Sequence, residues 1–262
     1  MLFASIIILL LIYRTYLYYR KRNDTTALTQ SRLMYFNDFY PKHFSYYNYL
    51  DEKEKIEFIE RSLHIREMLR FESVDDMMIT ENIKTLVSAS FTQITFGFDT
   101  YNLENFNTIF LHRSVFYSRL IDRDVKGLTF ANGKIHFSWE DFVKGYMFSN
   151  DKLNLALHEL AHALQIECYE NKSFETPEYD AWKAYAEIEI ANMKTFPEKT
   201  YFRSYAATNI HEFFAVCVEC FFEDPIQFRT QIPSLYHATC KVLMQDMAKR
   251  MEEKSDTGET IN

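Results

Sequence analysis

The segment His158-Glu159-Leu160-Ala161-His162 constrains this chain more than any other feature, because it lies inside an apolar run. Leu153, Leu155, Ala156, Leu157, Leu160, Ala161, Ala163 and Leu164 surround it, which predicts a helix apolar over most of its circumference. A helix of that kind is built to be buried. Two imidazoles spaced i, i+4 share one face and can reach a single ion. A buried His-Glu-His cluster needs a partner, and a metal supplies one. The pattern predicts Zn2+ held by His158 and His162. Glu159 would approach a polarised water as general base without being a ligand.

A catalytic zinc site needs a third protein ligand and an open position. No third histidine follows closely: Ala163, Leu164, Gln165, Ile166, Glu167 and Cys168 come next. The ligand must come from a later helix, and Glu187, Glu189, His211, Glu212 and Glu219 are the candidates. Glu212 is the strongest, since it opens a helix that is otherwise largely apolar (Phe213, Phe214, Ala215, Val216, Phe221, Phe222), where a carboxylate calls for a cation. Glu219, two turns on along nearly the same face, suits a hydrogen bond that steadies a ligating histidine. Glu187 and Glu189 read as a solvated face. Tyr205, in the loop entering the Glu212 helix, is a candidate donor to a developing oxyanion, or a packing tyrosine.

Composition narrows the class. The 262 residues allow one well-buried domain with appendages, or two small domains, and Gly and Pro are scarce at five each. The net charge of −8 argues against a nucleic-acid binder, which needs a basic footprint. Four cysteines are too few for a disulfide scaffold, and Cys217-x-x-Cys220 reads as two small buried hydrophobes on a helix.

The N-terminus predicts a membrane segment. Leu2 to Tyr13 is apolar and aromatic, and Arg20-Lys21-Arg22 follows. As a helix, residues 1–19 would run roughly 28 Å, about a bilayer core. Basic residues after the apolar run, with no small-residue cleavage site, favour a retained anchor over a signal peptide. Their position places the following domain in the cytoplasm.

The expected fold is α+β: a mostly helical zincin-like domain with a small mixed β-sheet. The expected layout is an anchor over 1–19, a connector packing on the domain over 20–50, the peptidase domain over 51–253 and a disordered tail over 254–262. Helical spacing predicts helices over 51–71, 79–90 (capped by Thr80), from an Asn150-Asp151 cap to about 169, 179–194, from a Thr208 or Asn209 cap to 222, and 234–253, with 141–147 a short helix or a loop. Residues 108–112 and 134–139 read as strands, with Gly127 to Gly133 as turn signals. Lys134, Ile135, His136, Phe137 and Ser138 are a candidate substrate-binding edge strand.

Leu155 to Gln165 (LALHELAHALQ) and Tyr205 to Pro225 (YAATNIHEFFAVCVECFFEDP) resemble the two motif blocks of the Mlc titration factor A family. Those are glucose-regulated zinc peptidases of the gluzincin type, with a catalytic core similar to that of anthrax lethal factor. Ile79 to Gly97 resembles the family's helix before the sheet, and Lys134 to Glu140 its edge strand. The resemblance implies His158, His162 and Glu212 as zinc ligands, Glu159 as general base and Tyr205 as the tyrosine near the metal. It implies a peptide or protein substrate and a transcription-regulator partner. Two departures stand out: Gln165 replaces an acidic residue found in many members, and the founding type is soluble. Two functions compete: an active zinc peptidase, and a membrane-tethered zincin-fold protein that sequesters a regulatory partner with little turnover.

Overall fold

In a computed structural model of the chain, residues 13, 31–101, 103–148, 150–170 and 177–256 are described. Contacts divide the chain into two units, residues 1–42 and 43–262. In the first, residues 31–42 are helical, and aromatic rings stack at i, i+4 spacing: Tyr35 on Phe39 at 5.5 Å and Phe36 on Tyr40 at 5.3 Å. Among the described residues no helix is long and apolar enough to cross a membrane. The anchor predicted for 1–19 lies outside them, apart from Tyr13.

The second unit begins with residues that the sequence assigned to a connector. Phe44 stacks on Tyr146 at 4.6 Å, and the Tyr46 hydroxyl donates to Gln245 at 2.7 Å. Helix α1 (Glu52–Met68) starts at a reciprocal cap: Asp51 accepts from the Glu54 amide, and the Glu54 carboxylate accepts from the Asp51 amide. It ends earlier than its periodicity suggested, because Arg70–Ser73 forms strand β1. Helix α2 (Glu81–Thr95) is capped by Thr80 as expected and runs a turn longer. The buried hydroxyls of Ser88, Ser90, Thr92 and Thr95 donate to carbonyls one turn back in the helix.

Strands β2 (Thr108–His112), β5 (Gly127–Phe130) and β6 (Lys134–Ser138) join β1 in a mixed sheet of order β1-β2-β6-β5. β1, β2 and β6 are parallel, and β5 runs antiparallel to β6. Period-two alternation points Ile109, Leu111, Ile135 and Phe137 into the core. The Lys134–Ser138 strand is therefore not an edge. Its backbone is paired on both sides, and the edge strands of the sheet are β1 and β5, with β5 next to it. Gly133, at φ 85°, makes the turn between them, where a Cβ would strike the Asn105 carbonyl oxygen at 1.8 Å. Strands β3 (Phe116–Ser118) and β4 (Arg123–Val125) form a separate antiparallel hairpin.

Ser138 ends β6 and caps helix α3 (Trp139–Met147), accepting from the Asp141 amide. Helix α4 (Leu155–Glu170) carries the two histidines. Its cap is Asn154 rather than Asn150-Asp151: the Asn154 side chain accepts from the Leu157 amide at 3.1 Å. Helices α5 (Pro177–Thr195) and α6 (Ile210–Glu223) follow, with a 3-10 turn, Ser204–Thr208, before α6. Asn209 caps α6, accepting from the amides of His211 and Glu212. Pro225 does not merely stop α6; it opens helix α7 (Pro225–Gln231), where its missing N–H is harmless. The single helix expected over 234–253 is two, α8 (Pro233–Leu243) and α9 (Met247–Asp256), separated where Met244 turns left-handed at φ 52°. Residues 254–256, expected in the tail, belong to α9, and 257–262 lie outside the described residues. Helix α4 packs against α6 and against β5, so the metal-type residues sit between a helix and the sheet's β5 edge.

Candidate metal centre

The i, i+4 spacing does what the sequence required of it. The rings of His158 and His162 lie 4.9 Å apart at 89° on one face of α4. The first turn of α6 brings Glu212 to them. One ligand atom from each of His158, His162 and Glu212 lies within 4.8 Å of the other two. Glu212 Oε2 is 3.1 Å from His158 Nε2 and 3.6 Å from His162 Nε2. A tetrahedral ion with bonds of about 2.0–2.1 Å spaces its ligand atoms about 3.3 Å apart, and these distances bracket that value.

Glu212 Oε2 is also the one buried side-chain polar atom, among the described residues, that no hydrogen bond reaches. The Nε2 atoms of His158 and His162 are near it, and neither makes a hydrogen bond to it. A buried carboxylate oxygen left that way needs positive charge. The donor set, two imidazole nitrogens and one carboxylate oxygen, fits a divalent metal.

The surroundings hold His158 in one orientation. Its Nδ1–H donates to Glu219 Oε1 at 2.7 Å, which leaves Nε2 facing Glu212. Glu219, from the middle of α6, is itself buried and held on all sides. Arg203 donates to both its oxygens, at 3.2 and 2.5 Å, and the Asn154 amide donates at 2.8 Å. Burial lowers the His158 pKa, but the carboxylates of Glu212 and Glu219 outweigh it and raise it to about 10. Burial raises Glu212, and the two imidazoles overcome that and hold it far below the usual carboxylate range. A proton and a metal ion thus compete for one position.

Glu159 lies on the side of α4 that faces β5. Thr129 donates to its Oε2 at 2.8 Å and to its backbone oxygen at 2.9 Å. Gly127 leaves room for it: a Cβ there would stand 2.5 Å from Glu159 Oε1. Burial raises the Glu159 carboxyl, with the imidazoles and Thr129 opposing the shift without overcoming it. A carboxyl raised in this way suits proton transfer near neutral pH. The Tyr205 ring is 6.1 Å from that of His158. Burial and the Glu212 carboxylate raise its phenol, while the Arg123 guanidinium beside it lowers it.

Glu187 and Glu189 are on α5 and outside this cluster. His211 stands beside it, with Nδ1 3.3 Å from Gln165 Oε1, and Gln165 Nε2 donates to Tyr179. Gln165, at the position often acidic in relatives, thus bridges His211 to a buried tyrosine. The Lys134–Ser138 strand is one strand removed from the site. Sequence reasoning missed Gly127, Thr129, Arg203 and Arg123. Only Gly127 left a signal, and it was read as a turn. Two cavities, of about 490 and 380 Å³, meet at the cluster, and Arg123, Val125, Gly127, His158, Glu159 and Tyr205 line both.

Two histidines from α4 and a carboxylate from α6, with a second carboxylate, Glu159, on the side of α4 facing β5, form a candidate centre of the metallopeptidase kind. A family profile described as glucose-regulated metallo-peptidase M90 matches residues 19–243, and the chain belongs to that family. The chain is similar to Mlc titration factor A of Yersinia enterocolitica serotype O:8 / biotype 1B, 21% identical over 235 residues, covering 81% of this chain and 86% of that protein. It is 29% identical to Mlc titration factor A of Escherichia coli O17:K52:H18 over 141 residues, 50% of this chain and 52% of that protein. The protein of that name from Shigella flexneri is 28% identical over 140 residues, with the same coverage. These last two matches span about half of each relative.

Proposed function

We propose that this chain is a zinc-dependent peptidase. The observation that carries the reading is the buried Glu212 oxygen without a hydrogen bond, facing two imidazole nitrogens at 3.1 and 3.6 Å. His158, His162 and Glu212 would hold Zn2+, which supplies Lewis-acid polarisation and brings a water toward a pKa near 7. Glu159 takes the proton of the attacking water and passes it to the leaving amine. Thr129 and Gly127 position its carboxylate. Tyr205 donates to the oxyanion that develops on the peptide carbonyl. Glu219 and Arg203 keep His158 oriented through the reaction. The substrate adds as a strand along the free edge of β5, past Glu159.

The test is Glu159→Gln. The variant should retain zinc and lose hydrolysis of peptides by at least about a hundredfold, the usual worth of a positioned base. Turnover equal to wild type in a zinc-loaded variant contradicts the mechanism.

A second reading has one support. The name of the relatives, Mlc titration factor A, joins them to a protein called Mlc. A regulatory protein partner for this chain, bound with little turnover, follows from that name alone. A partner-dependent phenotype that survives Glu159→Gln would favour it. The largely apolar stretch from Leu2 to Tyr13, followed by Arg14 and then Arg20-Lys21-Arg22, supports a membrane-tethered protein with the domain in the cytoplasm. A C-terminal reporter active only outside the cytoplasm contradicts that placement.

A further inference from the structure

The cleft contains two arginines, and they differ in one respect. Arg203 is tied up by Glu219, which takes two of its N–H groups. Arg123, like Arg32, Arg70, Arg113 and Arg119, makes no ion pair among the described residues, and of these five it alone lines the two cavities, whereas Arg203 has its carboxylate partner. Its neighbour is the neutral Tyr205 hydroxyl.

The hairpin aims it at the cleft. In β4, Arg123 and Val125 share one face, and both line the two cavities that meet at the metal cluster. Asp124 alternates with them, opposite Tyr117 in the β3–β4 register, and also lines the larger cavity, while Asp122 accepts from the Tyr117 hydroxyl. Neither carboxylate forms an ion pair with Arg123. The other cations of the larger cavity are engaged, Lys126 with Asp141 and Lys144 with Glu140. Arg123 is exposed, so its guanidinium, beside the groups that would act on a peptide bond, is open to exchange water for a carboxylate from outside.

We propose that Arg123 binds a carboxylate of the substrate, so that the cleft selects peptides with an acidic group near the bond it acts on. The proposal rests on the reading of this cleft as a peptide site. The carboxylate can be an Asp or Glu side chain or the peptide's own C-terminus, and the test separates the two.

The test measures binding, not turnover. Full-length, zinc-loaded Glu159→Gln protein is titrated against fluorescein-labelled alanine octapeptides. Each carries one Asp or one Asn, scanned through the sequence, with a free or amidated C-terminus. An Asp peptide should bind about tenfold or more tightly than its Asn counterpart, the usual worth of a charge-assisted hydrogen bond. The preference should vanish with Arg123→Gln, persist with Arg123→Lys and shift to Lys-containing peptides with Arg123→Glu. Affinity for the Asn peptide serves as the internal control for folding. A preference for the free over the amidated terminus, equal for Asp and Asn, assigns the carboxylate to the C-terminus. Equal affinity for all four classes, or a preference that survives Arg123→Gln, overturns the proposal while leaving the peptide site standing. Failure of every peptide to bind, with no hydrolysis by wild type, overturns both.

Discussion

The chain brings histidines together twice, and the two pairs have opposite chemistry. On the sheet, His112 Nε2 and His136 Nδ1 are 3.0 Å apart. Aromatic rings enclose them: Phe116 stacks on His112 at 3.6 Å and Phe110 on His136 at 4.5 Å. Burial, then His112 and Lys134, lower His136 to about 4. On α4, His158 and His162 face Glu212 and Glu219, and His158 is raised to about 10. One pair avoids positive charge and the other demands it. Two close imidazoles therefore do not make a metal site. What sets the α4 pair apart is the carboxylates facing it, Glu212 and Glu219, and both come from α6.

The comparison can be broken first at Glu212. Glu212→Gln removes the charge that distinguishes the two pairs and should weaken zinc binding by well over a hundredfold, since even the outer hydrogen bonds of such sites are worth ten to a hundredfold. Zinc content after dialysis against a graded chelator measures it. Gly127→Ala forces a methyl against Glu159 Oε1, 2.5 Å away. Metal should stay, and peptide hydrolysis should fall about a hundredfold, the usual result of displacing a reacting group by about an ångström. Glu219→Gln loosens His158 and leaves Arg203 without its carboxylate, so zinc affinity should fall about ten- to a hundredfold. Ion titration by calorimetry distinguishes that from no effect.

The smallest effect belongs to the sheet pair. Unfolded, His136 titrates near 6.5, and folded near 4. The unfolded state binds more protons in that window, so stability should fall as pH drops from about 6.5 to about 4. His136 is partly exposed, so the loss should be about 1–2 kcal/mol after solvent screening. His136→Phe should reduce that slope to the part due to His112, which burial also lowers, and leave zinc content unchanged. Denaturant melts of the Glu212→Gln background, with and without His136→Phe, measure the slope free of metal release.

How much of this was legible in the sequence depended on distance along the chain. His158, Glu159 and His162 are one helical turn, and periodicity alone places them together. Glu212 was legible because a carboxylate in an apolar helix is costly, and Asn209 because a cap is a local device. The strand identity was not legible. Ile135 and Phe137 make β6 strongly β-like because it is central and buried, while the edge strand next to it contains Gly127 and Thr129, which look like loop. The roles of Arg203, Thr129 and Arg123 arise from packing between segments far apart in sequence, where no spacing rule operates. The α8–α9 break was missed because Met244, a left-handed non-glycine residue, carries no turn signal.

The central claim is that α4 and α6 together form a zinc site. It is tested most directly by elemental analysis of the purified full-length chain and of His158→Ala. The expected result is one zinc per chain in the first and none in the second. No zinc in the wild type after refolding with the ion, or equal zinc in both, would contradict it.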